Sequence, residues 1–219
     1  MKRGSFQFGI RYILRMVLYV RALISLSIAL VLAAIAAASS VTVVLDYERP
    51  HPSAPFQAMK KELRSVMRSA GLQLELLNKS ELPPNAEFSG LVVFKMKGYC
   101  GMDEWPVAAL SDERGALAMA YSSDGHVLPF GEVNCDRVRA SLQRVLGKGR
   151  PEVYQPAFGT ALAFVMAHEM YHMLGNTAAH TKAGITKQSL SARDLIDNSL
   201  SLPSAAQEFL LDFKFHDHH

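Results

Sequence analysis

Residues 156–175 read PAFGTALAFVMAHEMYHMLG, and this stretch decides how the rest of the chain must be arranged. Its Ala, Leu, Met and Phe residues are compatible with a helix. Pro156 suits a first helical turn, where a missing N–H costs nothing, and Gly175 comes where a C-terminal cap is expected. The sequence therefore predicts one largely apolar helix from Pro156 to Leu174.

The end of this helix carries the pattern H-E-x-x-H, formed by His168, Glu169 and His172. Two His residues four positions apart lie on one helical face, so both imidazoles can reach one metal ion. The Glu between them is placed to take a proton from water on that ion. Random placement of 8 His and 11 Glu gives about 0.014 expected occurrences of this motif. The alternative is a buried helix whose His residues make ordinary hydrogen bonds.

A longer pattern, H-E-x-x-H-x-x-G-x-x-H, is matched at four positions, which are His168, Glu169, His172 and Gly175. Here the chain resembles the metzincin branch of the zinc metallopeptidases. The resemblance implies a catalytic Zn²⁺ with three protein ligands, Glu169 as general base, and hydrolysis of a peptide or protein substrate. It also implies that the chain turns back to the metal after the helix, and Gly175-Asn176 is suited to that turn because both residues tolerate the left-handed conformation.

Two residues are candidates for the third metal ligand. The longer pattern places a His at position 178, which is Ala178 here, and the nearest His is His180. A slightly longer loop would carry His180 to the metal, so we predict His180 as the third ligand. The alternative is an acid on a second helix, for which Asp194 is best placed. However, Ser191 to Asp194 also reads as a capping box that opens a helix over residues 192–200.

The metzincin Met-turn is missing, because the last Met of the chain is Met173, inside the predicted helix. Together with Ala178, this departure motivates an alternative function, an exported non-catalytic zinc-binding or interaction domain with a degenerate protease fold. A second oxyanion donor has no motif. Tyr154 and His126 are candidates for it, although both residue types more often have structural roles.

The first 38 residues form a separate segment. Its five basic residues are Lys2, Arg3, Arg11, Arg15 and Arg21. An apolar run over residues 22–38 follows, with small residues at its end, and this arrangement predicts a secretory signal peptide cleaved near Ala38. The product would be a secreted or periplasmic domain of residues 39–219. The alternative is an uncleaved N-terminal membrane anchor, for which the apolar run is short, since a spanning helix needs about 20 residues.

Charge and cysteines fit export. Removing the leader's five positive charges from the net charge of +3 leaves −2 for residues 39–219, which argues against nucleic acid as a partner. Cys100 and Cys135 are the two cysteines of the chain. In an oxidising compartment they are predicted to form a disulfide, and two reduced buried thiols are the alternative.

The remaining sequence predicts an α+β fold, a small mixed β-sheet flanked by helices with the H-E-x-x-H helix packed beneath it. Strands are predicted over residues 41–45, 72–76 and 90–97, with a hairpin that joins residues 116–122 to residues 126–130. Helices are predicted over residues 56–70 and from Asn134 or Asp136 to Leu146. The metzincin upper domain has a similar architecture. No sequence feature indicates an oligomeric state.

Overall fold

The computed structural model describes Arg21 and residues 39–103, 115–147, 150–197 and 199–211. Apart from Arg21, the predicted leader lies outside the described residues, so its cleavage or anchoring stays a prediction. Within the described ranges, no helix is both long and apolar enough to cross a membrane.

Five strands form one mixed sheet. They are β1 (Ser39–Tyr47), β2 (Leu72–Asn78), β3 (Leu91–Lys97), β4 (Ala118–Ser123) and β5 (His126–Asn134). Their order is β2-β1-β3-β5-β4, which leaves β4 at one edge. β1, β2, β3 and β5 are parallel, and β4 pairs antiparallel with β5. The predicted strands and the mixed sheet are confirmed.

The hairpin between β4 and β5 is closed by Asp124 and Gly125. Their φ angles are 53° and 80°, which is the backbone of a two-residue turn whose twist matches that of the flanking strands. This turn confirms the predicted hairpin and fixes β4 as the antiparallel edge strand.

One face of the sheet forms the core. Val41, Val43 and Leu45 alternate along β1, and all three are buried. The parallel register places Val43 beside Val92 and Leu45 beside Phe94, so the apolar side chains of neighbouring strands form a continuous layer. Burying one side chain of this size contributes roughly 1.5–3 kcal/mol.

The described part of the chain contains four α-helices, α1 (Ser53–Arg68), α2 (Cys135–Leu146), α3 (Pro151–Gly175) and α4 (Ser204–Leu211). α1 and α3 pack closely against each other. Gly159 permits this approach, because a Cβ there would overlap the carbonyl oxygen of Pro55 and lie 2.7 Å from the Cβ of Ala58. α2 begins after Asn134, whose side chain accepts a hydrogen bond from the Arg137 N–H and acts as the N-cap.

The predicted start of the metal-motif helix was wrong. α3 begins at Pro151, and Pro156 lies inside it. The missing N–H of Pro156 leaves the carbonyl of Glu152 without its helical donor, but Glu152 is exposed and water can serve it. The added turn is also held from outside, because Gln155 accepts from the Met102 N–H and donates to Asp103.

The helix predicted over residues 192–200 was also wrong. Among the described residues of that range, which leave out position 198, the helical structure is a single 3-10 turn, Asp194–Ile196. Asp197 Oδ1 accepts hydrogen bonds from the N–H and the hydroxyl of Ser199. Such local side-chain bonds offer the backbone an alternative to helix, so the segment continues as a turn.

Candidate metal centre

His168 and His172 lie one turn apart near the C-terminal end of α3. His172 is 8% exposed and His168 is half-buried. Glu169 follows His168 on the same helix and is also 8% exposed. A buried imidazole pair beside a buried carboxyl group is costly unless each group has a partner, so the partners of each ring are informative.

The Nδ1 atoms of both rings point at backbone carbonyls. His168 Nδ1 lies 2.8 Å from the carbonyl oxygen of Ile185, and His172 Nδ1 lies 2.7 Å from that of Thr177. Because a carbonyl only accepts, both Nδ1 atoms must donate, and both neutral rings carry their proton there. Each Nε2 therefore presents a lone pair, which is the tautomer that a metal-binding His requires.

The two Nε2 atoms face each other at 3.1 Å. Two nitrogen ligands of a tetrahedral zinc ion, each at 2.0–2.1 Å, would be separated by about 3.3 Å. Two facing lone pairs at this distance repel unless a cation or a shared proton lies between them. The arrangement of the donors thus fits a metal ion.

The third imidazole, that of His180, completes a group. Its ring centroid lies 5.3 Å from that of His168 and 4.7 Å from that of His172. The ligand atoms of the three residues all lie within 4.8 Å of one another. Among the described residues, this is the one cluster of metal-ligating side chains with three members.

The chain reaches His180 because the helix ends in a sharp turn. Asn176 adopts a left-handed conformation with φ 44°. The Thr177 N–H bonds the His172 carbonyl, and the Asn176 N–H bonds the Met173 carbonyl, which is the Schellman pattern. Of the two predicted turn residues, Gly175 remains helical and makes room for the ring of Phe209. Asn176 is therefore the residue at which the chain turns.

Asp194, the alternative third ligand, lies with other partners. Its Oδ2 is 2.7 Å from the Lys187 ammonium and accepts hydrogen bonds from the N–H and the hydroxyl of Ser191. Asp194 is not a member of the cluster of imidazoles. The carboxylate thus closes the predicted capping box without a following α-helix.

Burial shifts the protonation of the centre toward neutral groups. It is the main cause that lowers the pKa of His168 to about 4, against the raising effect of the Ile185 carbonyl. Burial also lowers the pKa of His172. It raises the pKa of Glu169 to about 7, although a hydrogen bond from the Ala120 N–H opposes this rise. Neutral imidazoles are what metal binding needs, and a carboxyl group with a pKa near 7 suits proton transfer at neutral pH.

The centre opens into a cleft of about 250 Å³. His168 and Glu169 lie on one side with Val165, and residues 115–118 and Gln188–Leu190 line the others. Residues 115–118 lead into the edge strand β4. The site is therefore accessible to a ligand that lies along the sheet edge.

The outer edge of β4 carries backbone groups that point away from β5. The Asn134 N–H bonds the Leu117 carbonyl, and β4 pairs Met119 with Glu132. In this antiparallel register the N–H and C=O groups of Ala118 and Ala120 point away from β5. The Ala120 N–H reaches Glu169, which agrees with that direction.

The predicted disulfide is confirmed. Cys100 and Cys135 are bonded, with their Cα atoms 5.0 Å apart. The bond ties the loop after β3 to the first residue of α2, and both cysteines are buried.

Other residues had to be found from the structure. Ile185 and Thr177 act through backbone carbonyls, which carry no residue signal. Asn176 was predicted as a turn residue, which is confirmed, but its side-chain bond to β5 was not predicted. Each of the two candidate oxyanion donors has a partner within the protein. The Tyr154 hydroxyl donates to the Leu146 carbonyl, and His126 Nδ1 lies 3.1 Å from Asn176 Nδ2.

No known protein-family profile matches the chain. A comparison with curated proteins found no match either. A function must therefore be inferred from the site itself.

Proposed function

We propose that residues 39–219 form an exported zinc-dependent metallopeptidase that hydrolyses peptide bonds. The observation that carries the proposal is the convergence of His168, His172 and His180 on the helix end that holds the buried Glu169, with His168 and Glu169 lining a cleft. Such an enzyme would resemble the metzincins in its H-E-x-x-H motif, and would be a divergent zincin because Ala178 and the missing Met-turn depart from the metzincin pattern.

Each residue has a role in this proposal. His168, His172 and His180 would hold Zn²⁺. A bound zinc ion supplies Lewis-acid chemistry, since it lowers the pKa of water toward about 7 and polarises a carbonyl. Glu169 would take a proton from the attacking water and pass it to the leaving amine. The carbonyls of Ile185 and Thr177 hold two of the rings with Nε2 toward the centre.

A peptide substrate would bind along β4. The outward N–H and C=O groups of Ala118 and the outward C=O of Ala120 are able to pair with an extended chain, while the Ala120 N–H bonds Glu169. Such strand addition is a common mode of peptide recognition. In metzincins a strand above the metal acts in this way. The opposite wall, Gln188–Leu190, would contact the substrate side chains nearest the scissile bond.

The compartment follows from the leader and the cysteines. A signal peptide would release residues 39–219 to a periplasmic or extracellular space, where the Cys100–Cys135 disulfide is stable. A membrane location would apply only if the N-terminal segment were retained. The mass of the protein isolated from an exporting host separates these cases, because cleavage removes about 4 kDa.

The proposal is tested with Glu169→Ala on the full chain, assayed for zinc and for cleavage of a quenched fluorescent peptide library. We expect Glu169→Ala to keep its zinc and lose at least 100-fold in cleavage rate, in line with a lost general base. Glu208→Ala, an exposed site on α4, is the matched control and should cleave normally. Equal cleavage by Glu169→Ala would contradict the proposal.

The second candidate function is an exported zinc-binding domain without catalysis. It is favoured by the departures at position 178 and at the Met-turn. A wild-type protein that binds one zinc ion and cleaves no member of the library would support it over the peptidase.

A further inference from the structure

The loop Thr181–Lys187, which directly follows His180, contacts the metal centre from a second side. Its Ile185 carbonyl accepts the hydrogen bond from His168 Nδ1 at 2.8 Å. The Ile185 side chain is fully buried. The loop therefore begins next to the His180 imidazole and orients the His168 imidazole, so its position affects both rings.

The loop is closed internally by two threonines. The Thr181 N–H donates to the Thr186 carbonyl at 3.0 Å, and the two hydroxyl oxygens lie 2.6 Å apart. Thr186 is fully buried. The Ile185 N–H bonds the Ser201 carbonyl at 3.0 Å, which holds the loop to the segment before α4. These contacts set its shape.

The end of the loop is held by an ion pair. The Lys187 ammonium lies 2.7 Å from Asp194 Oδ2, and both side chains are mostly buried, at 29% and 22% exposed. Asp194 is itself fixed by two hydrogen bonds from Ser191. Lys187 stands two residues after Ile185 and directly before the cleft wall Gln188–Leu190. The pair thus ties the loop and the wall to the 3-10 turn.

We propose that Lys187 and Asp194 are positioning residues of the metal centre. Their ion pair fixes the loop so that the Ile185 carbonyl orients His168 and His180 reaches the metal. Asp194 then acts on the metal through the loop and is not a ligand. This inference rests on the proposed zinc site, and outer partners of metal-binding His residues typically change metal affinity 10–100-fold when removed.

The test is the zinc affinity of the full chain, measured by competition with a chromophoric chelator. The variants are Asp194→Asn, Lys187→Met and the conservative Lys187→Arg. Asp197→Asn is the matched control, because Asp197 also accepts two hydrogen bonds from a nearby serine, Ser199, and is not the partner of Lys187. Thermal melting of each metal-free variant checks that it folds.

We expect Asp194→Asn and Lys187→Met each to weaken zinc binding roughly 10–100-fold, with the double variant no weaker than either one. Lys187→Arg should restore affinity, and Asp197→Asn should stay within about twofold of the wild type. With Co²⁺ in place of Zn²⁺, the visible bands of Asp194→Asn should keep the wild-type pattern, since no ligand is lost.

Three results would overturn the inference. If Asp194→Asn loses zinc while Lys187→Met keeps it, Asp194 is a ligand. If Asp197→Asn weakens zinc binding as much as Asp194→Asn does, the effect reflects general stability. A wild type without zinc would overturn this inference and the proposed function together. If the variants show the expected zinc affinities but the wild type cleaves no peptide, the positioning role is supported and only the peptidase proposal is contradicted.

Discussion

Asn176 joins the end of the metal-motif helix to the hairpin that carries the edge strand. Its Oδ1 accepts a hydrogen bond from the Val127 N–H at 2.8 Å. The same residue provides the left-handed turn after the helix. One side chain therefore links the end of α3 to β5, the strand that pairs with β4.

Two substitutions separate these roles. Asn176→Gly keeps the left-handed backbone but removes the amide, so we expect a loss of about 0.5–1 kcal/mol and faster hydrogen exchange at the Val127 N–H. Asn176→Ala adds the strain of a left-handed alanine and should lose about 1 kcal/mol more. Urea unfolding and amide exchange measure both. Unchanged exchange at Val127 in Asn176→Gly would contradict the link.

The packing of α1 on α3 depends on Gly159. We expect Gly159→Ala to lower the free energy of unfolding by about 1–3 kcal/mol, because the added methyl meets the backbone at Pro55 and the Ala58 side chain. This is a net loss despite the better helix propensity of Ala. Val153→Ala, at a site 66% exposed on the same helix, is the control and should stay within about 0.5 kcal/mol. Equal stability of Gly159→Ala and wild type would show that the helices have room to separate.

The disulfide closes a loop with a sequence separation of 35. We expect the double variant Cys100→Ala, Cys135→Ala to lose about 3–4 kcal/mol of unfolding free energy, the loop-entropy value for this length. Urea unfolding under oxidising conditions measures the loss. A thiol assay on the exported protein should find no free thiol. A double variant as stable as the wild type would argue that the bond closes no flexible loop of the unfolded chain.

Acid should weaken the loop that follows His180. Partial burial tends to raise the pKa of Asp194, but the hydrogen bonds from Lys187 and Ser191 outweigh it and lower the pKa below its usual value. Because the pKa of Asp194 is lower in the folded chain, ionised Asp194 stabilises the fold at pH values above its unfolded pKa of about 3.9. This stabilisation is lost as the pH falls through the folded pKa. In metal-free protein, Asp194→Asn should therefore be less stable than wild type at pH 7, and the difference should shrink below about pH 4. A difference that is constant with pH would contradict this assignment.

Much of the fold was predictable because its signals are local. β-branched residues at Val41 and Val43 indicate a strand, and the Asp124-Gly125 pair indicates a hairpin turn. The wrong helix predictions fall where tertiary or side-chain contacts determine the backbone conformation. Gln155 holds an extra helical turn before Pro156, and Asp197 accepts hydrogen bonds from Ser199, which offer the backbone an alternative to the predicted helix.

The side chains of the candidate site were predictable from the sequence, but the groups that orient them were not. The spacing of His168 and His172 specifies their shared face whatever the fold. The choice between His180 and Asp194 depends on where the loop lies, and Lys187 as the partner of Asp194 is a contact between two irregular segments. The carbonyl partners of the rings belong to Ile185 and Thr177, and a backbone group has no sequence signature.

The central claim is that three imidazoles bind one zinc ion. The most direct test is the zinc content of the full chain after mild chelator washing. The tail residues His216, His218 and His219, outside the described ranges, are changed to Ala in all samples to remove adventitious binding. We expect one zinc per chain, and its loss in His180→Ala. Zinc that persists in His180→Ala would move the third ligand elsewhere, and a wild type without stoichiometric zinc would contradict the three-imidazole site.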